Sequence, residues 1–264
     1  MTGPSVTSRV ITLLSAFSAE HRALTLSQLS RRANLPLTTT HRLVGELAAL
    51  GALERDEHGR YRIGVRLWEI ASLAPRAGGL REAAMPFLED LFDATRENVQ
   101  LAVLDGIEVL YVERMSARNA IPVISRVGGR LPVHATAVGQ VLLANSPVEL
   151  QEQVLAGPLT RLTDKTITSP RELRVLLAEV RRTGIAVADG HVDTQSLSVA
   201  APIYGPDDTV VAGLSIVVPA VGQGQLFAPA VRSAARGISR ALGAPRATIR
   251  PSAAVLGSAP AATR

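Results

Sequence analysis

Thr38, Thr39, His41 and Arg42 stand together just after Pro36, with Gly45 one turn further on. Threonine hydroxyls donate to phosphates, and their methyls meet a thymine methyl. An arginine reaches a guanine edge or a phosphate. Arg60 and Arg62, two residues apart, fall on one side of an extended segment, which suits phosphate or minor-groove contact. The chemistry these side chains share is recognition of a nucleic acid duplex. Ser27, Gln28 and Thr40 complete the candidate contact set. His41 and His58 are expected to be incidental polar residues rather than metal ligands.

A second group could carry acid–base or metal chemistry: His134, His191, Asp189 and Asp193. His191-Val192-Asp193 puts two potential ligands on one side of a strand, but no third lies at a recognised spacing. There is no G-x-S-x-G nucleophile elbow and no P-loop. Gly222-Gln223-Gly224 is too small a glycine pattern for a nucleotide site. Catalysis is not expected, and neither a metal nor a cofactor is implied.

The duplex-facing residues need elements to hold them. Val6, Val10, Leu13, Leu14 and Phe17 recur at helical spacing. Thr25 opens T-x-x-Q with Gln28, a capping-box signature for a second helix, with Leu26, Leu29 and Ala33 as its buried stripe. Asn34 to Pro36 is the break, and Pro36 suits the first turn of a third helix. In that helix Leu37, Thr40, Leu43, Val44, Leu47 and Leu50 are expected to face inward, and Gly51 ends it. Gly45 costs about 1 kcal/mol relative to Ala in a helix interior; close approach of a partner is one reason for a glycine there, chance another. Leu53 to Arg55 and Arg60 to Ile63 read as strands around Asp56-Glu57-His58-Gly59, with Gly59 free to take positive φ. A helix-turn-helix with a basic hairpin wing follows.

Val65 to Leu73 is expected to be helical and carries the only tryptophan, Trp68, placed either under the wing, against a second subunit, or within the chain's own core. Pro75 to Gly79 reads as a hinge. A helix from about Leu80 to Thr95, tolerant of Pro86, precedes strands at Val99 to Leu104, Val109 to Glu113 and Ile121 to Ser125. Helices at Ala135 to Ala144, Pro147 to Leu155 and Pro170 to Arg182 precede strands at Ile185 to Ala188, Ser198 to Ile203 and Val210 to Val217. A helix from Leu226 to Leu242 closes the ordered part. Antiparallel-looking strand pairs with inserted helices indicate an α+β fold.

The 264 residues suffice for two domains, and 47% are apolar. The absence of cysteine excludes disulfides, thiolate metal sites and a cysteine nucleophile. The most apolar run, Val210 to Val221, is too short for a bilayer and contains Pro219. The N-terminus lacks the basic-then-apolar order of a signal peptide, so a cytoplasmic protein without a membrane partner is expected. The net charge of +5 hides an asymmetry. Residues 1–75 carry nine Arg against six acids, and residues 80–230 carry eleven Arg and Lys165, the sole lysine, against seventeen acids. Residues 231–264 carry six Arg and no acid. A basic head on an acidic body suits a DNA-reading module joined to something that does not touch DNA.

Several motifs together carry a resemblance. They are the wing end Arg60-Tyr61-Arg62-Ile63-Gly64, the stretch from Gly129 to Gln140 (G-R-L-P-V-H-A-T-A-V-G-Q), G-I-A-V at Gly184 to Val187, and A-A-P-I at Ala200 to Ile203. In order and spacing the chain resembles the IclR family of bacterial transcription regulators over about residues 6 to 243. The resemblance implies a winged helix-turn-helix domain (1–66), a linker helix and hinge (67–79) and a GAF-like effector-binding domain (80–245), while the tail (246–264), rich in Ala, Pro, Ser and Gly, is expected from its composition to be disordered. The resemblance also implies operator DNA, a small and often acidic or aromatic effector, and a homo-oligomer, as a dimer or a dimer of dimers.

By position, the family's effector cleft maps here onto Ala120, Val123 and Leu131 as apolar wall, and onto Ala137 and Val138 at a helix N-terminus. Ser196, Ser198 and Ser215 are the polar contacts. A helix start offers free N–H groups and a positive dipole end, which favours a carboxylate. Three positions depart from the family pattern. The acids after G-Y-A-V are reduced here to Ala188-Asp189-Gly190-His191, leaving Asp189 as the acidic candidate. Val217 replaces a late serine, and Gln140 stands where lysine is common. These changes leave open a larger or more apolar effector, and also a vestigial pocket. The expected function is a ligand-responsive DNA-binding regulator, more often a repressor on family grounds. The alternatives are a regulator that needs no ligand and an enzyme with a DNA-binding head.

Overall fold

The computed structural model describes residues 4–18, 20–73, 78–220 and 224–245. The hinge positions 75–77 and the tail 246–264 fall outside these residues, as do 221–223 of the weak glycine pattern. The chain divides into two compact units, Met1–Gly78 and Gly79–Arg264.

The first unit holds α1 (Val6–Leu14), α2 (Leu26–Ala33), α3 (Leu37–Ala49), β1 (Leu53–Arg55), β2 (Tyr61–Ile63) and α4 (Val65–Ser72). Its core is Leu13, Leu24, Leu29, Leu43, Val44 and Leu53, all essentially inaccessible. The capping box on α2 is complete: the Thr25 hydroxyl accepts the Gln28 N–H, and Gln28 Oε1 accepts the Thr25 N–H at 2.8 Å. Asn34 turns the chain in the left-handed region, with φ 51°, so α3 leaves at a new angle. Leu37 and Leu50, expected to face inward, are 52% and 71% exposed. They sit at the two ends of α3, where the core no longer reaches. Gly59 takes φ 74° in the wing turn, a conformation side-chain-bearing residues disfavour. The segment before α2 meets the wing at a single β-bridge. Leu24 and Tyr61 exchange both backbone hydrogen bonds, at 2.9 and 2.7 Å. Trp68 on α4 is 70% exposed, and no residue of that helix is buried.

The second unit is a six-stranded antiparallel sheet between two helical layers. Its elements are α5 (Gly78–Thr95), β3 (Asn98–Asp105), β4 (Glu108–Met115), β5 (Arg130–Pro132), α6 (Ala137–Ala144), α7 (Val148–Ala156), α8 (Pro170–Thr183), β6 (Ala186–Asp189), β7 (Ser196–Tyr204), β8 (Val210–Pro219) and α9 (Ala228–Ala241), with a 3-10 turn at Gly224–Phe227. The strand order is β5-β4-β3-β8-β7-β6. One face packs α5 and α9 through Ala84, Leu88, Val231 and Ile238 onto Val99, Leu101, Val199 and Leu214. The other packs α6, α7 and α8 through Val141, Leu143, Leu155 and Leu177 onto Ala102, Val109 and Ala200. Central strands buried on both faces read as continuous apolar runs, as in β8.

Ile121 to Ser125 is not a strand, contrary to its alternation. Pro122 removes a ladder donor, and side chains of the neighbouring strands hold the segment instead. Asn98 Nδ2 donates to the Ile121 carbonyl at 2.9 Å, and Gln100 Nε2 to Ser125 Oγ at 2.7 Å. Arg114 Nη1 donates to the Ser125 carbonyl at 2.7 Å. The strand that closes this edge is β5, which pairs with β4 through Val109 and Leu131.

Candidate functional site

Two places could do chemistry, one in each unit. In the first unit, α3 presents Thr38, His41 and Arg42 to solvent, with Thr39 half-buried. Pro36 precedes the helix without a side-chain cap. The first-turn N–H groups therefore have no intrahelical acceptor and point outward as donors for an anion. Arg42 Nη1 lies 2.7 Å from Glu46 Oε1 in a pair more than half exposed at both ends. Gly45 faces open space: a Cβ there would meet nothing within 4 Å. Thr40 does not belong to this face. It is fully buried, and its hydroxyl donates to the Pro36 carbonyl at 3.0 Å. Ser27 is exposed on α2, while Gln28 spends its carbonyl oxygen on the cap.

On the wing, Arg60 Nε sits 2.9 Å from Asp56 Oδ2, and Arg62 Nη2 2.8 Å from Glu54 Oε2. Glu54 is held below the usual carboxylate range, first by the Val65 N–H and then by Arg62. Asp56 is held low chiefly by the Arg60 N–H. Both arginines are thus oriented by an acid across or along the hairpin. Arg55 stacks over the Tyr61 ring at 5.7 Å.

In the second unit a cavity of about 490 Å³, mouth included, opens where β4, β7, β8 and the 122–125 segment meet the start of α6. Val123, Leu131, Ala137, Val138, Ser196, Ser198 and Val217, all expected from sequence, line it together. Gly139 makes the helix start possible. A Cβ there would lie 2.2 Å from the Val133 carbonyl oxygen. Thr136 caps α6 by accepting the Gly139 N–H at 3.0 Å, which leaves the Ala137 and Val138 N–H groups without intrahelical acceptors.

Three expected contacts lie off the cavity. Ala120 is in a turn bonded to Ala117. Asp189 alternates away from Ala188, which does line the cavity, and pairs with Lys165 Nζ at 3.1 Å. Ser215 shares the sheet face of Gln100 and Ala200, its register partners, but is fully buried, and its hydroxyl has no partner among the described residues. Sequence reasoning missed Gln100, Tyr111, Ser125 and Thr136, and met Asp193 only as a catalytic candidate. Burial pushes the Tyr111 phenol far up, against a hydrogen bond with Thr136, so the phenol is neutral. Asp193 is the only charged side chain among the lining residues, and its Oδ1 accepts the Gln195 N–H at 3.0 Å. Ser196 Oγ donates to the Asp193 carbonyl at 2.9 Å.

The histidines considered for catalysis are tied into a polar cluster behind the cavity. His134 Nε2 donates to the Thr160 carbonyl at 3.1 Å. Gln140 Nε2 donates both to the His134 carbonyl at 3.0 Å and to His191 Nδ1 at 3.2 Å. Burial lowers both imidazole pKa values. Among the described residues there is no group of three His, Cys, Asp or Glu side chains placed to hold a metal.

The profile of the IclR helix-turn-helix domain matches residues 6–57, and that of the bacterial transcriptional regulator IclR C-terminal domain matches residues 76–240. The chain belongs to the IclR family. The HTH-type transcriptional regulator XynR of Escherichia coli is 31% identical over 243 residues, 90% of this chain and 96% of that protein. The Pca regulon regulatory protein of Pseudomonas putida is 30% identical over 211 residues, 79% of this chain and 72% of that one. Among solved structures, an IclR homolog from Microbacterium hydrocarbonoxydans complexed with 4-hydroxybenzoate is 41% identical, with a TM-score of 0.87 over 90% of this chain and 99% of that one. As an IclR-family member, the chain is a DNA-binding transcriptional regulator with an effector-binding domain. No helix among the described residues is long and apolar enough to cross a membrane.

Proposed function

We propose that the cavity takes a small aromatic acid and that its occupancy controls operator binding by the N-terminal unit. The observation that carries this is an apolar cavity opening onto the Ala137 and Val138 amides at the start of α6. A carboxylate placed there receives two N–H donors and the positive end of the helix dipole. Val123, Leu131 and Val217 form the apolar wall for a ring, and Ser198, Gln100 and Ser125 offer hydroxyl and amide partners. Asp193 can only accept, so it selects a ligand bearing a hydrogen-bond donor away from the carboxylate. The 4-hydroxybenzoate complex of the Microbacterium homolog supports this class.

In the DNA-binding unit, Thr38, Thr39, His41 and Arg42 read the groove and Arg60 and Arg62 follow the phosphates. Ser27 and Gln28 flank them on α2. The protein acts as a homo-oligomer in the cytoplasm, without turnover. The exposed Val65, Trp68 and Leu73 of the α4 region support subunit contact, and the structural engagement of His134 and His191 supports the absence of catalysis. The ligand acts by preferring one arrangement of the effector domains.

The test is a titration of 4-hydroxybenzoate and benzoate against protein bound to DNA from upstream of its own gene, read by fluorescence anisotropy, with thermal shift in parallel. A ligand-dependent change in operator affinity, lost in Val138→Phe, is the expected outcome. Operator binding untouched by any aromatic acid, with no thermal shift, would favour control without a ligand.

A further inference from the structure

A second groove lies at the opposite end of β7 from the effector cavity. β6 pairs only with Leu197 to Ala200, so β7 continues through Ala201, Pro202, Ile203 and Tyr204 without a strand on that side. The open edge, the end of α8 and one flank of α9 enclose a groove of about 710 Å³, open to solvent. Its charged lining is Arg232 and Arg236, and no acid lines it.

The edge is closed to an added strand. Pro202 has no N–H, and the Tyr204 N–H already donates to Ser239 Oγ at 2.9 Å. What the groove offers is cationic side chains. Arg232 Nη2 donates to the Thr183 carbonyl at 3.1 Å, which fixes that guanidinium and offsets the negative end of α8. Arg236, one turn along the same flank of α9, has no hydrogen-bond or ion-pair partner among the described residues. Neither does the Tyr204 hydroxyl.

We infer that this groove binds a phosphate dianion, free or as the phosphoryl group of a small metabolite, at a site separate from the effector cavity. A carboxylate uses one guanidinium fork. Two forks one helical turn apart together with a phenol match the several oxygens of a phosphate. Side chains four apart on a helix lie close enough to share one such group. The groove is independent of the aromatic-acid assignment, since none of its residues lines that cavity.

The full-length protein is titrated with inorganic phosphate and with glucose 6-phosphate at constant ionic strength set by sodium chloride, read by thermal shift and by 31P line broadening. Saturable stabilisation in the millimolar range or below is expected. Arg236→Gln, which breaks no contact among the described residues, should weaken it at least tenfold, and Arg236→Lys should retain part of it. Arg232→Gln removes the tie to Thr183 as well, so its thermal baseline is compared first. Equal response to both anions indicates a free-phosphate site, and a stronger response to the ester indicates a phosphorylated metabolite. No saturable effect beyond chloride, or an unchanged effect in Arg236→Gln, overturns the assignment. So does a loss of operator affinity in Arg236→Gln with phosphate binding unaltered, which would place the arginine on DNA.

Discussion

Gln140 Nε2 lies 3.2 Å from His191 Nδ1, joining α6 to the loop after β6 across 51 residues of sequence. Both partners belong to segments that shape the effector cavity: α6 through Ala137 and Val138, the loop through Val192 and Asp193. The same amide nitrogen also donates to the His134 carbonyl, while Gln140 Oε1 is buried without a partner among the described residues. Replacing Gln140 by Leu therefore strands two acceptors but removes one orphan. Each is worth about 1–3 kcal/mol, so two stranded acceptors against one relieved orphan should leave a net destabilisation of about 1–3 kcal/mol. Effector affinity should fall as well, because the loop carrying Asp193 loses its tie to α6. Urea unfolding and ligand titration separate the two, and an undiminished affinity would detach that loop from the cavity.

The two imidazoles give a pH dependence with a defined sign. His134 and His191 are held below the ordinary value of 6.5, first by burial. For His191 the neighbouring Asp189 opposes the shift, and Lys165 and His134 add to it. A depressed histidine pKa means the unfolded chain takes up protons first as pH falls. Their contribution to stability is present above about pH 6.5 and is lost as pH falls through the lower folded values. The melting temperature should drop on acidification from pH 7 to 5, and less steeply in His191→Gln. An identical slope in the two proteins would assign the acid sensitivity elsewhere.

Two glycines on helices predict opposite outcomes. Gly139→Ala forces a Cβ to 2.2 Å from the Val133 carbonyl oxygen and 2.6 Å from Thr136 Oγ1. It should destabilise by about 1–3 kcal/mol and misplace the α6 amides, seen as a lower melting temperature with weak effector binding. Gly45→Ala meets nothing within 4 Å and should stabilise by about 1 kcal/mol through helix propensity. Operator affinity should fall all the same if, as proposed, the face that gains the methyl approaches DNA. Stability and affinity rising together would remove α3 from the groove.

Arg42→Ala and Arg62→Ala distinguish base reading from phosphate contact. Their pairs with Glu46 and Glu54 are exposed, so neither change should cost more than about 1 kcal/mol of stability. Arg42→Ala should cost about 1–3 kcal/mol on the specific operator and little on random DNA. Arg62→Ala should weaken both alike and flatten the salt dependence. Anisotropy titrations at several salt concentrations read both, and unchanged affinities would remove these arginines from the interface.

The amino-acid order alone determined the DNA-binding unit, because its signals are local. The Thr25–Gln28 box, the Asn34 turn, the α3 stripe and the Gly59 hairpin each involve residues within a few positions of one another. The α+β class and most strands were legible for the same reason. Where pattern reading went astray, the deciding partner was distant. Ile121 to Ser125 alternates like a strand, yet Asn98 and Gln100 hold it as a wall through their side chains. Thr40, counted among the duplex contacts as well as on the inward stripe, takes only the inward place, because the core closes over it. Asp189 stands one residue from a lining alanine, and the pleat turns it to Lys165, leaving Asp193 as the acid at the cavity. Gln100 and Tyr111 carry no local mark of a site. Only the pairing of β3 with β4 and β8 brings them to the start of α6. Helix starts and turns are decided by neighbours in sequence, whereas a cavity is decided by which strands pair and which face each side chain takes.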